Sequence, residues 1–194
     1  ARHGAALWRA LMQAGAAQMA HFYGAPIYCS AGMSDAKLPD QQAGYEKMAT
    51  LLLTALSGAS YIHHAAGMLE NMNVVSYEQM ALDNDIILMV KRILRGMATD
   101  AEHLAVEAIG RVGPAGHYLM DEHTLHHLRG EFSFPRLADR DGREAWRAAG
   151  RPDVRRRATD FVEGLLAGPL ESRLPAGLDQ TLRERFGVRD GLET

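Results

Sequence analysis

The chain has 194 residues, of which 47% are hydrophobic, 23% charged and 7% aromatic, with a formal net charge of −3. These fractions belong to a globular chain long enough for a real core and exclude a disordered or collagen-like one. The acidic balance gives no electrostatic footprint for nucleic acid, and no apolar run approaches the roughly 20 residues of a membrane span. The single cysteine, Cys29, permits no internal disulfide, which points to a reducing, cytoplasmic setting. The opening ARHGAALWRA lacks the pattern of a secretory signal. It starts inside a helix-like stretch without an initiator methionine, so we expect a piece of something longer.

Residues 5–22 are alanine-rich, with Leu7, Leu11, Ala14 and Gln18 at helical spacing, and Gly24 and Pro26 end the helix. Residues 25–31 are short, largely apolar and bounded by turn residues, which reads as a buried strand. A second helix is expected over about 41–56, with Tyr45, Met48, Leu52 and Ala55 on one face. The SYIHHA run at 60–65 is another strand. Ser76-Tyr77-Glu78-Gln79 has the form of a capping box, opening a helix whose apolar stripe is Ile86, Met89, Val90, Ile93, Leu94 and Met97. Thr99-Asp100-Ala101-Glu102 is a second box, ahead of a helix ending near Gly113-Pro114. Residues 117–140 show no clear period, and helices are expected around 143–149, 152–166 and 178–186.

This alternation of helix and strand predicts an α/β fold with parallel strands joined by crossovers. In parallel βα units every loop leaving a strand lies on the same sheet edge, where α/β proteins place their sites. The loops 32–40 and 65–74 are therefore expected to be neighbours on a working face.

The first of these loops, G-M-S-D-A-K, offers Met33, Ser34 and Asp35 together with Lys37. Asp35 is suited to binding a cation or acting as a base, with Lys37 as its partner; the competing reading is a turn whose polar side chains satisfy backbone amides. His63 and His64 end the second strand, where alternation allows only one imidazole to face a given pocket. Glu70 is either a ligand-facing anion or an exposed loop residue. Tyr28, with Tyr23, Tyr45 and Tyr61, is a candidate for part of a cation-binding aromatic cage, or simply packing. H-x-x-H-H at His123, His126 and His127 places three imidazoles on one helix face, with the His123/His127 spacing of two zinc ligands. The further ligands are not evident and H-E-x-x-H is absent, so no metal site is expected. Arg151, Arg155, Arg156 and Arg157 read as a solvated basic face. The common nucleotide, hydrolase and redox motifs are missing.

GMSDAKLPDQQAGYE at 32–46, IHHAAGMLE at 62–70 and SYEQMALDNDI at 76–86 together resemble the trimethylamine:corrinoid methyltransferase family. VGPAGHYL, HTLHHLR and PRLADR follow in the same order between residues 112 and 140. The resemblance implies the C-terminal part of a TIM barrel, with residues 1–112 as its last βα units and 113–194 as a mostly helical extension. It implies transfer of a methyl group from a methylated amine to the reduced cobalt of a separate corrinoid protein. The corrinoid (cobalamin) then comes with that partner and none is bound directly. Members specific for trimethylamine carry pyrrolysine near the region resembling 31–35, and no such residue appears here. Relatives without it are associated with quaternary amines such as glycine betaine, so a betaine-like donor is expected.

In that setting Asp35, Glu70 and Tyr28 are candidates to hold the ammonium group, and His63 or His64 the donor's carboxylate. Met33 and Ser34 complete the candidate substrate loop, and the catalytic residues stay unassigned. A full barrel takes about 250 residues, and two clear strands cannot enclose a pocket, so this chain alone is expected to be inactive. The alternatives are a non-catalytic amine-binding or interaction protein of the same fold and a zinc-dependent enzyme using His123/His127. Nucleic-acid and membrane partners are not expected, and the oligomeric state, a homo-oligomer included, stays open.

Overall fold

The computed structural model describes residues 5–168, 174–175 and 177–187. The chain divides into two compact units, Ala1–Val162 and Glu163–Thr194. In the first, α1 (Ala5–Phe22), β1 (Tyr28–Ser30), α2 (Gln41–Leu56), β2 (Tyr61–His63) and α3 (Tyr77–Arg95) follow in the expected alternation. β1 and β2 pair in parallel, with Tyr28 opposite Tyr61, Cys29 opposite Ile62 and Ser30 opposite His63. Between β2 and α3 the structure adds a small hairpin. β3 (Met68–Leu69) and β4 (Val74–Val75) are antiparallel and are joined by a 3-10 turn at Glu70–Met72.

The helix faces that are buried differ from the apolar stripes read in the sequence. α1 buries Ala6, Ala10, Ala14 and Ala17, while Leu7 and Leu11 are exposed. Small side chains let its backbone lie close to β1 and α2, and the large ones are left outside. α2 buries Ala43, Lys47, Thr50, Leu51 and Thr54, again at helical spacing, while Tyr45 is exposed. Met48, Leu52 and Ala55 pack only partly buried against a core of Ala31, Leu51, Ile86 and Val90. α3 contributes Ile86 and Val90 but also buries Gln79, Asp83 and Asp85; Ile93, Leu94 and Met97 are exposed.

The caps explain where the helices start. Asp40 accepts from the Ala43 amide, and Ser76 from that of Gln79, a contact of about 1 kcal/mol. The Ser76 box stays half-closed, because the Gln79 side chain reaches forward to Asp83 at 2.8 Å instead of back. At the second box the cap is Asp100, not Thr99, accepting from the His103 amide at 3.1 Å. The helix beyond it breaks into α4 (Ala101–Leu104) and α5 (Val106–Val112) at Ala105, whose φ is +54°. α6 (Glu122–Glu131) forms in the stretch without a clear period, capped by Asp121. Its end is held by Arg92 and Arg95 on Glu131 at 2.8 and 3.0 Å. α7 (Arg143–Ala148) and α8 (Val154–Leu166) follow. Of the basic face, Arg157 is not free in solvent: it donates to the Leu137 carbonyl at 2.7 Å. In the second unit, α9 (Leu178–Phe186) lies between Gly177 and Gly187, both with left-handed backbones.

Buried Asp85 accepts from the amides of Arg136 and Leu137 at 3.0 and 2.7 Å. Asp85→Ala is expected to cost about 2–3 kcal/mol, since it strands these donors. The readout is a lower urea midpoint at unchanged slope. A midpoint equal to that of the parent would contradict this role.

Candidate functional site

The two strand-exit loops meet, as the parallel pairing requires. Gly32 has φ +78°, and a Cβ there would stand 2.9 Å from the Ala65 Cα, so only glycine allows the approach. Farther along, the amide of Asn71 donates to the Ser34 carbonyl at 2.9 Å and that of Glu70 to the Ala36 carbonyl at 2.8 Å.

A buried ion pair ties the loops from below. Lys47 Nζ donates to the Gly32 carbonyl at 2.5 Å and lies 2.9 Å from Asp83, with both side chains 1% exposed. Asp83 also accepts from the Gly67 amide at 2.7 Å and from Gln79. One pair thus reaches Gly32 in the first loop and Gly67 in the second. Burial acts against both charges, lowering the Lys47 pKa and raising that of Asp83; their mutual attraction and the bonds from Gln79 and Gly67 oppose it.

Ser34 is fully buried. Its hydroxyl donates to Glu46 Oε2 at 2.6 Å and accepts from the Ala36 amide at 3.0 Å, while the Asp35 amide donates to the same carboxylate oxygen at 2.9 Å. Ser34 and Glu46 therefore set the loop's shape. Burial would raise the Glu46 pKa, but the bonds from Ser34, Gln42 and the Asp35 amide outweigh it and hold the value below the ordinary glutamate range. A carboxylate depressed in the folded state lends stability that is present above its unfolded pKa and lost as pH falls through the folded one. Glu46→Gln is expected to flatten the acid limb of the stability–pH curve below about pH 4.3. An unchanged acid limb would contradict it.

Asp35 is half-buried, and its partner is Arg9 of α1, Nη2 to Oδ1 3.7 Å, not Lys37. Lys37 Nζ instead donates to the Asp35 backbone carbonyl at 2.7 Å. Arg9 lines a small cleft with Ala6, Ala10, Ser30, Met33 and Thr50, so Met33 is part of its wall. The Nε and Nη2 atoms of Arg9 are buried without a hydrogen-bond acceptor among the described residues. Sequence reading passed over this residue, although it is the only Asp, Glu, Lys or Arg in the eighteen residues of α1.

On the sheet, Cys29 is fully buried while Tyr28 and Tyr61 are 57% and 60% exposed. Alternation places Tyr28, Ser30, Tyr61 and His63 on one face. The tyrosine rings stack at 5.5 Å, and the Tyr28 hydroxyl bonds His63 Nδ1. His64 does not obey the strand alternation. It lies beyond β2 with φ +62°, and its ring returns to within 3.5 Å of the His63 ring, so the two imidazoles sit side by side. His64 Nδ1 is 3.4 Å from the Ser30 hydroxyl. Burial, and then the neighbouring His63, lowers the His64 pKa, favouring the neutral ring.

Glu70 is half-buried at the head of the hairpin turn, where it, Asn71 and Met72 all have positive φ. Such left-handed residues cost of order 1–3 kcal/mol each and persist where their surroundings hold them. Here the two amide bonds to the first loop do so.

The family described as Trimethylamine methyltransferase (MTTB) matches residues 5–190. Trimethylamine methyltransferase MttB of Desulfitobacterium hafniense (strain DSM 10664 / DCB-2) is 39% identical over 89% of this chain and 34% of its own length. Glycine betaine methyltransferase of Desulfitobacterium hafniense (strain Y51) is 34% identical over 93% of this chain and 37% of its own. Trimethylamine methyltransferase MttB of Methanosarcina barkeri (strain Fusaro / DSM 804) is 45% identical over 80% of this chain and 31% of its own. The chain thus spans about a third of the length of these curated relatives.

Proposed function

Because this chain belongs to the trimethylamine methyltransferase family, we propose that it works within a methyltransferase that takes a methyl group from a quaternary, betaine-like amine. The acceptor is the reduced cobalt of a separate corrinoid protein. In this reading residues 1–112 are the last βα units of a TIM barrel and residues 113–194 its helical extension, operating in the cytoplasm. The remaining units would cover the exposed Tyr28/Tyr61 face and the outward Leu7, Trp8, Leu11 and Met12.

One observation carries the proposal. Ser30 both lines the Arg9 cleft and lies against His64, so the cleft and the aromatic–imidazole face adjoin at one strand end. Asp35 and the stacked faces of Tyr28 and Tyr61 suit a quaternary ammonium group. Arg9, with donors to spare, suits the donor's carboxylate, and His63 and His64 offer further hydrogen bonds. In the reaction the N–CH3 bond breaks and its electron pair stays on nitrogen, leaving a neutral amine. No proton has to move, so these residues act by positioning.

The test is a reconstituted methyl transfer in a protein of the relatives' length, with a corrinoid protein as acceptor. Arg9→Met is expected to raise the KM for glycine betaine by about tenfold or more, the loss of one charge-assisted pair. Its effect on an amine without a carboxylate should be small. Equal KM values for parent and variant with betaine would overturn the assignment.

A further inference from the structure

We infer that Glu102, His126 and His127 form a binding site for a divalent transition-metal ion, zinc above all, that staples α4 to α6. One ligand atom from each of the three lies within 4.8 Å of the other two. Glu102 Oε1 is 3.3 Å from His127 Nε2 and 3.9 Å from His126 Nε2. A tetrahedral ion with bonds of about 2.0–2.2 Å holds its donors about 3.3 Å apart. The Glu102–His127 spacing already fits, and the exposed His126 ring has to close in from 3.9 Å. His127 Nε2 is buried and has no hydrogen bond among the described residues, so an ion at this point would give it a partner.

The pair that sequence spacing singles out, His123 and His127, is not the donor pair. His123 spends Nε2 on the Glu102 carbonyl at 2.8 Å, and His103 places Nδ1 on Asp100. Both rings instead pack against His127, at 4.4 and 4.7 Å between centroids, and fix its orientation. Two imidazoles and a carboxylate favour zinc or its neighbours in the transition series over magnesium or calcium. The exposure of Glu102 and His126, 63% and 74% at their side chains, leaves the fourth position to water. The site does not depend on the methyl-transfer reading.

The experiment titrates zinc chloride alone into the metal-stripped 194-residue chain by calorimetry, with cobalt(II) absorption as a second probe of coordination. One ion per chain is expected, with zinc raising the thermal midpoint. His126→Ala and Glu102→Gln change exposed side chains, so folding should survive, as circular dichroism would verify. Each should weaken binding by more than about tenfold and abolish the thermal shift. His21→Gln, elsewhere in the chain, should leave both unchanged. No saturable uptake, or uptake unaltered in both His126→Ala and Glu102→Gln, would overturn the inference.

Discussion

Lys47→Met is expected to lower stability by about 3–5 kcal/mol. The substitution leaves the Asp83 carboxyl 1% exposed without its cation, with only the Gly67 amide and Gln79 to compensate. It also strips the Gly32 carbonyl of its donor. A buried ion pair replaced at both ends by apolar groups is often near neutral, because desolvation offsets the Coulomb gain. Lys47→Met/Asp83→Leu should therefore recover part of the loss, but not all, since Gly32 and Gly67 still lack partners. Urea unfolding of the parent, both single variants and the double variant measures this as a coupling energy. Strict additivity of the two single changes would show that the pair does not act as one unit.

Gly32→Ala carries the second large effect. Its φ of +78° disfavours a side chain by about 1–2 kcal/mol. The new methyl would also meet the Ala65 Cα at 2.9 Å and its carbonyl oxygen at 3.0 Å. Both obstacles are backbone, so no rotamer relieves them, and overpacking adds about 1–3 kcal/mol. The two strand-exit loops should be pushed apart. Hydrogen exchange at Asn71 and Glu70, whose amides cross between the loops, is expected to accelerate beyond the global loss of stability. Gly24→Ala offers a comparison: it shares the positive φ but meets nothing within 4 Å. Equal costs for the two substitutions would mean that the close approach to Ala65 contributes nothing.

The elements legible in the sequence were those set by local signals. α1, α2 and α9 run over the expected residues because Asp40, Ser57 and flanking glycines fix helix ends through contacts within a turn. The working edge was legible too, since parallel pairing alone brings the exits of β1 and β2 together. What escaped depends on partners far along the chain. Lys47 and Asp83 are buried as partners from two different helices, so hydrophobic spacing, which found Ile86 and Val90, missed the polar half of the buried faces of α2 and α3. Likewise, spacing did not reveal that the Ser34 hydroxyl donates to Glu46 of the following helix. The side-by-side arrangement of His63 and His64 follows from a left-handed backbone at a non-glycine residue, which no spacing rule reveals. The β3–β4 hairpin has two-residue strands, too short for alternation to show. Arg9 had a visible signal, a lone charge on an otherwise uncharged alanine-rich helix, but nothing local said what it faces.

The central claim is that the adjoining cleft and aromatic–imidazole face serve a donor with a quaternary ammonium group and a carboxylate. A donor panel measures it most directly: the protein at the length of its relatives, a reduced corrinoid protein, and glycine betaine or trimethylamine in turn, followed by the corrinoid absorption spectrum. Methylation of the cobalt is expected with glycine betaine, and little or none with trimethylamine. Methylation from trimethylamine with glycine betaine inert would contradict it.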